Sequence, residues 1–172
     1  MTDVALTLEA TLAQWDGRSS EPLVAVYDRH REDSGFVDHL LTLLALPAAQ
    51  NGSTWLIKRS LERGRTLSQT EEAQLLGCLD ALVDWPARLH ALQCLPYLDV
   101  PETHVAPVAA FVIAQLKHDR AFVRAWAYGA LYRLGQTQPA HAAEAAERVA
   151  WALEHEAPSV RARLRQLTGQ GG

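Results

Sequence analysis

A chain of 172 residues with 48% hydrophobic residues has enough apolar material for one compact domain or one short solenoid, which argues against disorder over most of its length. Its 16 Lys and Arg against 20 Asp and Glu give a net charge of −4, which argues against indiscriminate attraction to nucleic acid and makes the distribution of charge the informative quantity. Ala and Leu dominate, and isoleucine occurs only at Ile57 and Ile113, a balance that favours helices over sheets. The expected class is all-α.

Apolar residues recur at helical spacing from the start. Leu6, Leu8, Leu12 and Trp15 predict a first helix ending near Asp16 and Gly17. Ser20, Glu21 and Pro22 predict a second, with serine as the cap and proline in the first turn, where no backbone bond is required of it. Val37, Leu40, Leu41 and Leu44 predict a third, stopped by Pro47 and followed by a turn at Asn51, Gly52 and Ser53. A fourth helix is expected over residues 54–63, closed by Gly64. Ser68 and Glu71 have capping-box spacing and introduce a fifth helix carrying Leu75, Leu76, Leu79, Leu82 and Val83. Asp84, Trp85 and Pro86 open a sixth, which Pro96 ends or bends. The seventh holds Val105, Val108, Val112, Ile113 and Leu116, starting after Pro101 or near His104. Asp119, Pro139 and Pro158 open the eighth, ninth and tenth, and residues 169–172 are expected to form a mobile tail. Short turns between about ten helices imply antiparallel hairpins.

The first 15 residues carry Asp3 and Glu9 and lack a basic segment followed by an apolar run, so no signal peptide is expected. The longest apolar stretches, residues 40–49 and 105–116, each contain a proline and fall short of the roughly 18–20 residues that cross a bilayer. No membrane partner is expected. Cys78 and Cys94 read as reduced core residues, and the expected location is cytoplasmic.

The most informative stretch is residues 119–134, DRAFVRAWAYGALYRL. Aligned on arginine, Pro86-Ala87-Arg88-Leu89-His90-Ala91 matches Phe122-Val123-Arg124-Ala125-Trp126-Ala127 and Ser159-Val160-Arg161-Ala162-Arg163-Leu164, at intervals of 36 and 37 residues. An acidic residue, Asp84, Asp119 or Glu156, precedes each arginine by four or five positions. This pattern resembles the second helix of HEAT repeats, clearest over residues 70–167. The resemblance implies a right-handed α-solenoid of about five helix hairpins spanning residues 1–168, with acidic residue and arginine contacting one another across neighbouring repeats. The period is shorter than the roughly 40–47 residues usual for such repeats, and the unequal intervals depart from the constant 34 of tetratricopeptide repeats.

In stacked hairpins the second helices line the concave side. Of the 16 Lys and Arg residues, 13 lie in or just after even-numbered helices, so a net acidic chain is expected to present one basic face. Helical geometry puts Arg124 and Tyr128 at the flank of the eighth helix, and Arg88, Arg161 and Arg165 take related positions. Lys58, Arg59, Arg63 and Arg65 extend the series. Two readings stand for Arg88, Arg124 and Arg161: pairing with Asp84, Asp119 and Glu156 to set repeat stacking, or contact with an acidic ligand. Arg63, Arg65, Arg163 and Arg165 have no motif partner, so solvation or ligand contact is expected of them. Trp126, Tyr128 and Tyr132 are expected in the core, Trp55, Trp85 and Trp151 in hairpin cores, and Gly129 at a close approach.

No Gly-rich phosphate loop, no i, i+4 histidine pair and no nucleophilic constellation occurs, so neither catalytic residue nor cofactor is assigned. The expected function is a non-catalytic interaction scaffold for a protein or acidic peptide. The alternative is nucleic-acid binding: some HEAT-like solenoids are alkylpurine-DNA glycosylases, and the basic even-numbered helices, Trp126 and Asp119 support that comparison.

Overall fold

The structure, a computed structural model, describes residues 3–169, with side chains from Leu8 onward. The Leu6 side chain and the tail beyond Gly169 lie outside what it describes. Among the described residues there are ten α-helices, two short 3-10 helices and no strand, so the protein is all-α. The chain folds as two compact units, Met1–Asp99 and Val100–Gly172.

The amino-terminal unit contains α1 (Asp3–Gln14), α2 (Glu21–His30), α3 (Phe36–Leu43), α4 (Pro47–Glu62), α5 (Gln69–Gly77) and α6 (Trp85–Cys94). Helix α4 touches α1, α2, α3 and α6, and its apolar residues Leu56, Ile57 and Leu61 join Leu40, Leu41, Leu76 and Leu92 in the core. Pro47 does not stop α3; it opens α4, because proline at the first helical position forfeits no backbone bond. The expected turn at Asn51, Gly52 and Ser53 is therefore helix. Packing explains the difference: a Cβ on Gly52 would stand 2.9 Å from Leu12 Cδ2, so the missing side chain lets α1 lie against α4. Gln50 anchors the same turn, its Nε2 donating to the carbonyls of Leu44 and Ala81, both at 2.9 Å. Its Oε1 accepts from the Val83 amide at 2.9 Å, so a buried amide is satisfied at both ends.

Ser20 holds the cap position of α2 as expected, but its side chain makes no capping bond; the Ser19 hydroxyl accepts from the Glu21 amide at 3.2 Å instead. The box at α5 is complete. Ser68 Oγ accepts from the Glu71 amide at 3.2 Å, and Glu71 Oε2 accepts from the Ser68 amide at 2.7 Å. Helix α5 ends earlier than expected, at Gly77, and Leu79–Ala81 continue as a 3-10 turn. Gly64, at φ +91°, ends the α4 segment in the left-handed conformation that other residues avoid.

The carboxy-terminal unit contains α7 (Glu102–Gln115), α8 (Ala121–Thr137), α9 (Pro139–His155) and α10 (Pro158–Thr168). Pro101 precedes α7, and Pro107 is inside it. Helix α8 packs against α7, α9 and α10, which is why it is apolar nearly all round. Val123, Ala127 and Leu131 are fully enclosed there, as are Val160 and Leu164 of α10. Gly135 admits α9 closely, because a Cβ there would meet the Cβ of Ala145 at 2.5 Å.

Among the described residues, no helix is long and apolar enough to cross a membrane.

Candidate binding surfaces

The basic residues of the even-numbered helices are mostly engaged within the protein. Lys58 Nζ lies 3.3 Å from Glu62 Oε1, and Arg59 sits over the rings of Tyr27 and Trp55 at 5.7 and 5.8 Å. Arg65 Nη2 donates to Glu71 Oε1 at 3.0 Å, so the partner not expected for it is the capping glutamate of α5. Burial alone would raise the Glu71 carboxyl; the bonds from the Ser68 backbone and side chain, with that from Arg65, outweigh it and hold the group below its ordinary range. Arg88 Nε donates to the Leu82 carbonyl at 2.9 Å rather than pairing with Asp84. Arg63 and Arg165 are exposed and have no ion pair among the described residues.

Arg124 pairs with the acidic residue of the following motif copy and not with the Asp119 carboxylate. Its Nε and Nη2 donate to Glu156 Oε1 and Oε2 at 2.8 and 2.9 Å, a bidentate bond between one motif copy and the acidic residue of the next. Nη1 donates to the carbonyls of His118 and Asp119 at 2.8 and 3.0 Å, so Asp119 contributes its backbone and not its carboxylate. The Arg124 bond is the leading cause that lowers the Glu156 carboxyl and raises the guanidinium. Arg161, left without that glutamate, has an Nε that is dry and makes no hydrogen bond.

Two residues two positions apart on a helix point to nearly opposite sides. Arg124 and Tyr128 consequently do not share a surface with Trp126. Tyr128 is 5% exposed and borders a cleft of about 580 Å³ with Leu116, Lys117, Glu147, Arg148 and Trp151. Burial and the nearby Glu156 charge push its phenol up. Trp151 is not a core residue as expected; it is 53% exposed and stacks on His155 with centroids 5.1 Å apart.

The opposite side of α8 faces α10. The Arg163 guanidinium lies over the Trp126 ring, its Cζ 3.5 Å from the centroid, in direct cation–π contact. Gly129, one turn along, explains how the side chain lies flat: a Cβ there would meet Leu167 Cδ1 at 3.1 Å and Arg163 Nε at 3.4 Å. The close approach expected at Gly129 is thus made by α10. Arg163 Nε is dry and unbonded, and the side chain has no ion pair or hydrogen bond among the described residues. Partial burial lowers its pKa by desolvation. Phe122, four residues before Trp126 on the same stripe, is 57% exposed. Sequence reading had singled out Arg163 but not the Trp126 stack, which joins residues on two helices.

Trp55 and Trp85, expected in hairpin cores, instead line a second cleft together with Trp15; Trp85 is 38% exposed. Both free cysteines lie in the amino-terminal unit, with Cys94 fully buried and its thiol pushed strongly up by desolvation. Among the described residues no group of three or more His, Cys, Asp and Glu is placed to hold a metal ion. No family model, no curated protein and no solved structure matches this chain.

Proposed function

We propose that the chain is a non-catalytic, HEAT-like helical-repeat module of the right-handed α-solenoid type, and that α8 and α10 hold an acidic segment of a protein partner. The Arg124–Glu156 bond supports the repeat reading, because it links acidic residue and arginine of successive motif copies as in the family the sequence resembles. The cytoplasm, where Cys78 and Cys94 stay reduced, is the compartment that fits.

One observation carries the binding reading: Arg163 is stacked on Trp126 with its Nε dry and unbonded. A partly desolvated cation of this kind costs some free energy in the isolated protein, and a carboxylate delivered by a partner offsets that cost. Its plane is already fixed by the indole, so little side-chain freedom is lost on forming the bond. Exposed Phe122 supplies apolar surface beside it, suited to a hydrophobic residue flanking the carboxylates. Arg165, two positions on, is exposed on the other side of α10 and is not part of this surface. The original series of ten basic and aromatic candidates thereby contracts, because Arg65, Arg124 and Lys58 spend their charge inside the protein.

The test is fluorescence-anisotropy titration with a labelled peptide of alternating glutamate and leucine, beside a labelled DNA duplex. The expected result is peptide binding that weakens with salt and drops at least about tenfold in Arg163→Gln, a difference of about 1.4 kcal/mol. Binding of the duplex but not the peptide would replace this reading with a nucleic-acid-binding HEAT-like protein, the class that includes alkylpurine-DNA glycosylase-like repair proteins. Absence of both sinks the basic-surface account.

A further inference from the structure

Three of the protein's five tryptophans converge on one cleft of the amino-terminal unit. Trp15 follows α1, Trp55 comes from α4 and Trp85 from the first turn of α6; with Pro86 and Leu89 they line a space of about 480 Å³. That volume lies within the range of small-molecule sites, which combine apolar walls with a few placed polar groups.

The walls are set by the packing already described. Gly52 brings α1 onto α4, and Gly17, at φ +75°, turns the chain where a Cβ would stand 3.4 Å from Asn51 Nδ2. Trp15 Nε1 donates to the Ser19 carbonyl at 2.6 Å, so the indole is tied to its own loop and its polar atom is taken. Trp55 already has Lys58 and Arg59 beside its ring, each 5.8 Å from the centroid. The two charged residues of the lining, Asp16 and Arg18, offset one another, Arg18 Nε lying 3.9 Å from Asp16 Oδ2, so the cleft favours neither a cation nor an anion.

His90 supplies the polar group. The Thr54 hydroxyl has one hydrogen, and it donates to the Gln50 carbonyl at 2.8 Å, so the contact between Thr54 Oγ1 and His90 Nδ1 at 3.1 Å needs its proton on the imidazole. Burial, and then the Lys58 charge, outweigh a hydrogen bond with the Asn51 backbone that favours the protonated ring, and lower its pKa to about 4, so the ring is neutral. With Nδ1 protonated in a neutral ring, Nε2 carries a lone pair. A lone pair repels an anion and accepts from an N–H or O–H.

We propose that this cleft binds a small, neutral, planar aromatic molecule bearing one N–H or O–H donor, its ring among Trp15, Trp55 and Trp85 and its donor on His90 Nε2. The site lies wholly in the amino-terminal unit and is independent of Arg163.

Indole is the probe, with 1-methylindole as the same shape lacking the donor, in a two-dimensional proton–nitrogen NMR titration of the full chain up to each probe's solubility limit. Indole is expected to saturate and to shift the side-chain N–H signals of Trp15, Trp55 and Trp85, while those of Trp126 and Trp151 stay in place. 1-Methylindole is expected to bind at least about tenfold more weakly, the usual scale for leaving a placed acceptor unpaired. Trp85→Ala, at a partly exposed position, is expected to retain the helical spectrum and lose saturation, and Arg163→Gln to bind indole unchanged. No saturation by indole, equal binding of both probes, equal shifts of all five indole signals, or undiminished binding by a folded Trp85→Ala protein would each overturn the proposal.

Discussion

Removing the Arg124 guanidinium is the sharpest test of how the carboxy-terminal unit is held together. Arg124→Ala breaks two charge-assisted bonds to Glu156 and two to the carbonyls of His118 and Asp119. Glu156, whose side chain is 8% exposed, keeps a bond from the Ala157 amide at 3.0 Å but loses its counterion. Stranding one member of a buried pair costs about 3–5 kcal/mol; the retained amide bond and residual exposure place this case near the lower end, about 3 kcal/mol. For a unit of this size each kcal/mol moves the midpoint by about 4–8 °C, so thermal unfolding followed by circular dichroism is expected to shift down by about 12–24 °C. Glu156→Gln and the double variant complete a cycle whose coupling is expected at about 1–3 kcal/mol. The pair also fixes a pH dependence. The folded Glu156 carboxyl lies below its unfolded value, so its contribution is fully present above about pH 5 and is lost as pH falls through the lowered folded value. The acid slope is therefore expected to be shallower in Glu156→Gln. A midpoint for Arg124→Ala within about 3 °C of the unaltered protein, or a coupling under about 0.5 kcal/mol, would refute the strut.

Gln50→Ala is expected to destabilise the amino-terminal unit by about 2–4 kcal/mol, read by urea denaturation, because it orphans the carbonyls of Leu44 and Ala81 and the amide of Val83. An effect under about 0.5 kcal/mol would mean that those groups find other partners. Gly135→Ala gains about 1 kcal/mol of helix propensity yet is expected to lower the melting temperature, since its methyl would collide with buried Ala145. A stabilised variant would show that α9 moves away freely. Ser68→Ala is expected to cost about 1 kcal/mol by urea denaturation through loss of one arm of the capping box, and no change would deny that box a part in holding α5.

What could be read in the chain was mostly local. Ser68 and Glu71, three residues apart, announce their mutual bonds, and the prolines in the first turns of α2, α9 and α10 mark real helix starts. Pro47 is ambiguous in sequence, because a proline opening a helix and one ending it look alike without the neighbours, and Gly52 favours helix there only because Leu12 lies across it. The arginine partners depended on contacts 32 residues apart, which let Glu156 serve Arg124 instead of Arg161. Tryptophan counts gave no hint that Trp15, Trp55 and Trp85 share a cleft, since each comes from a different element. The repeat spacing points to Arg163, but its distinguishing property, direct contact of the guanidinium with an indole, requires α8 and α10 to be packed.

The binding account comes down to the salt dependence of acidic-peptide affinity in the unaltered protein and in Arg163→Gln. The account predicts a log–log slope that is measurably shallower in the variant, together with a loss of at least about tenfold at low salt. Identical slopes and affinities in the two proteins would contradict it.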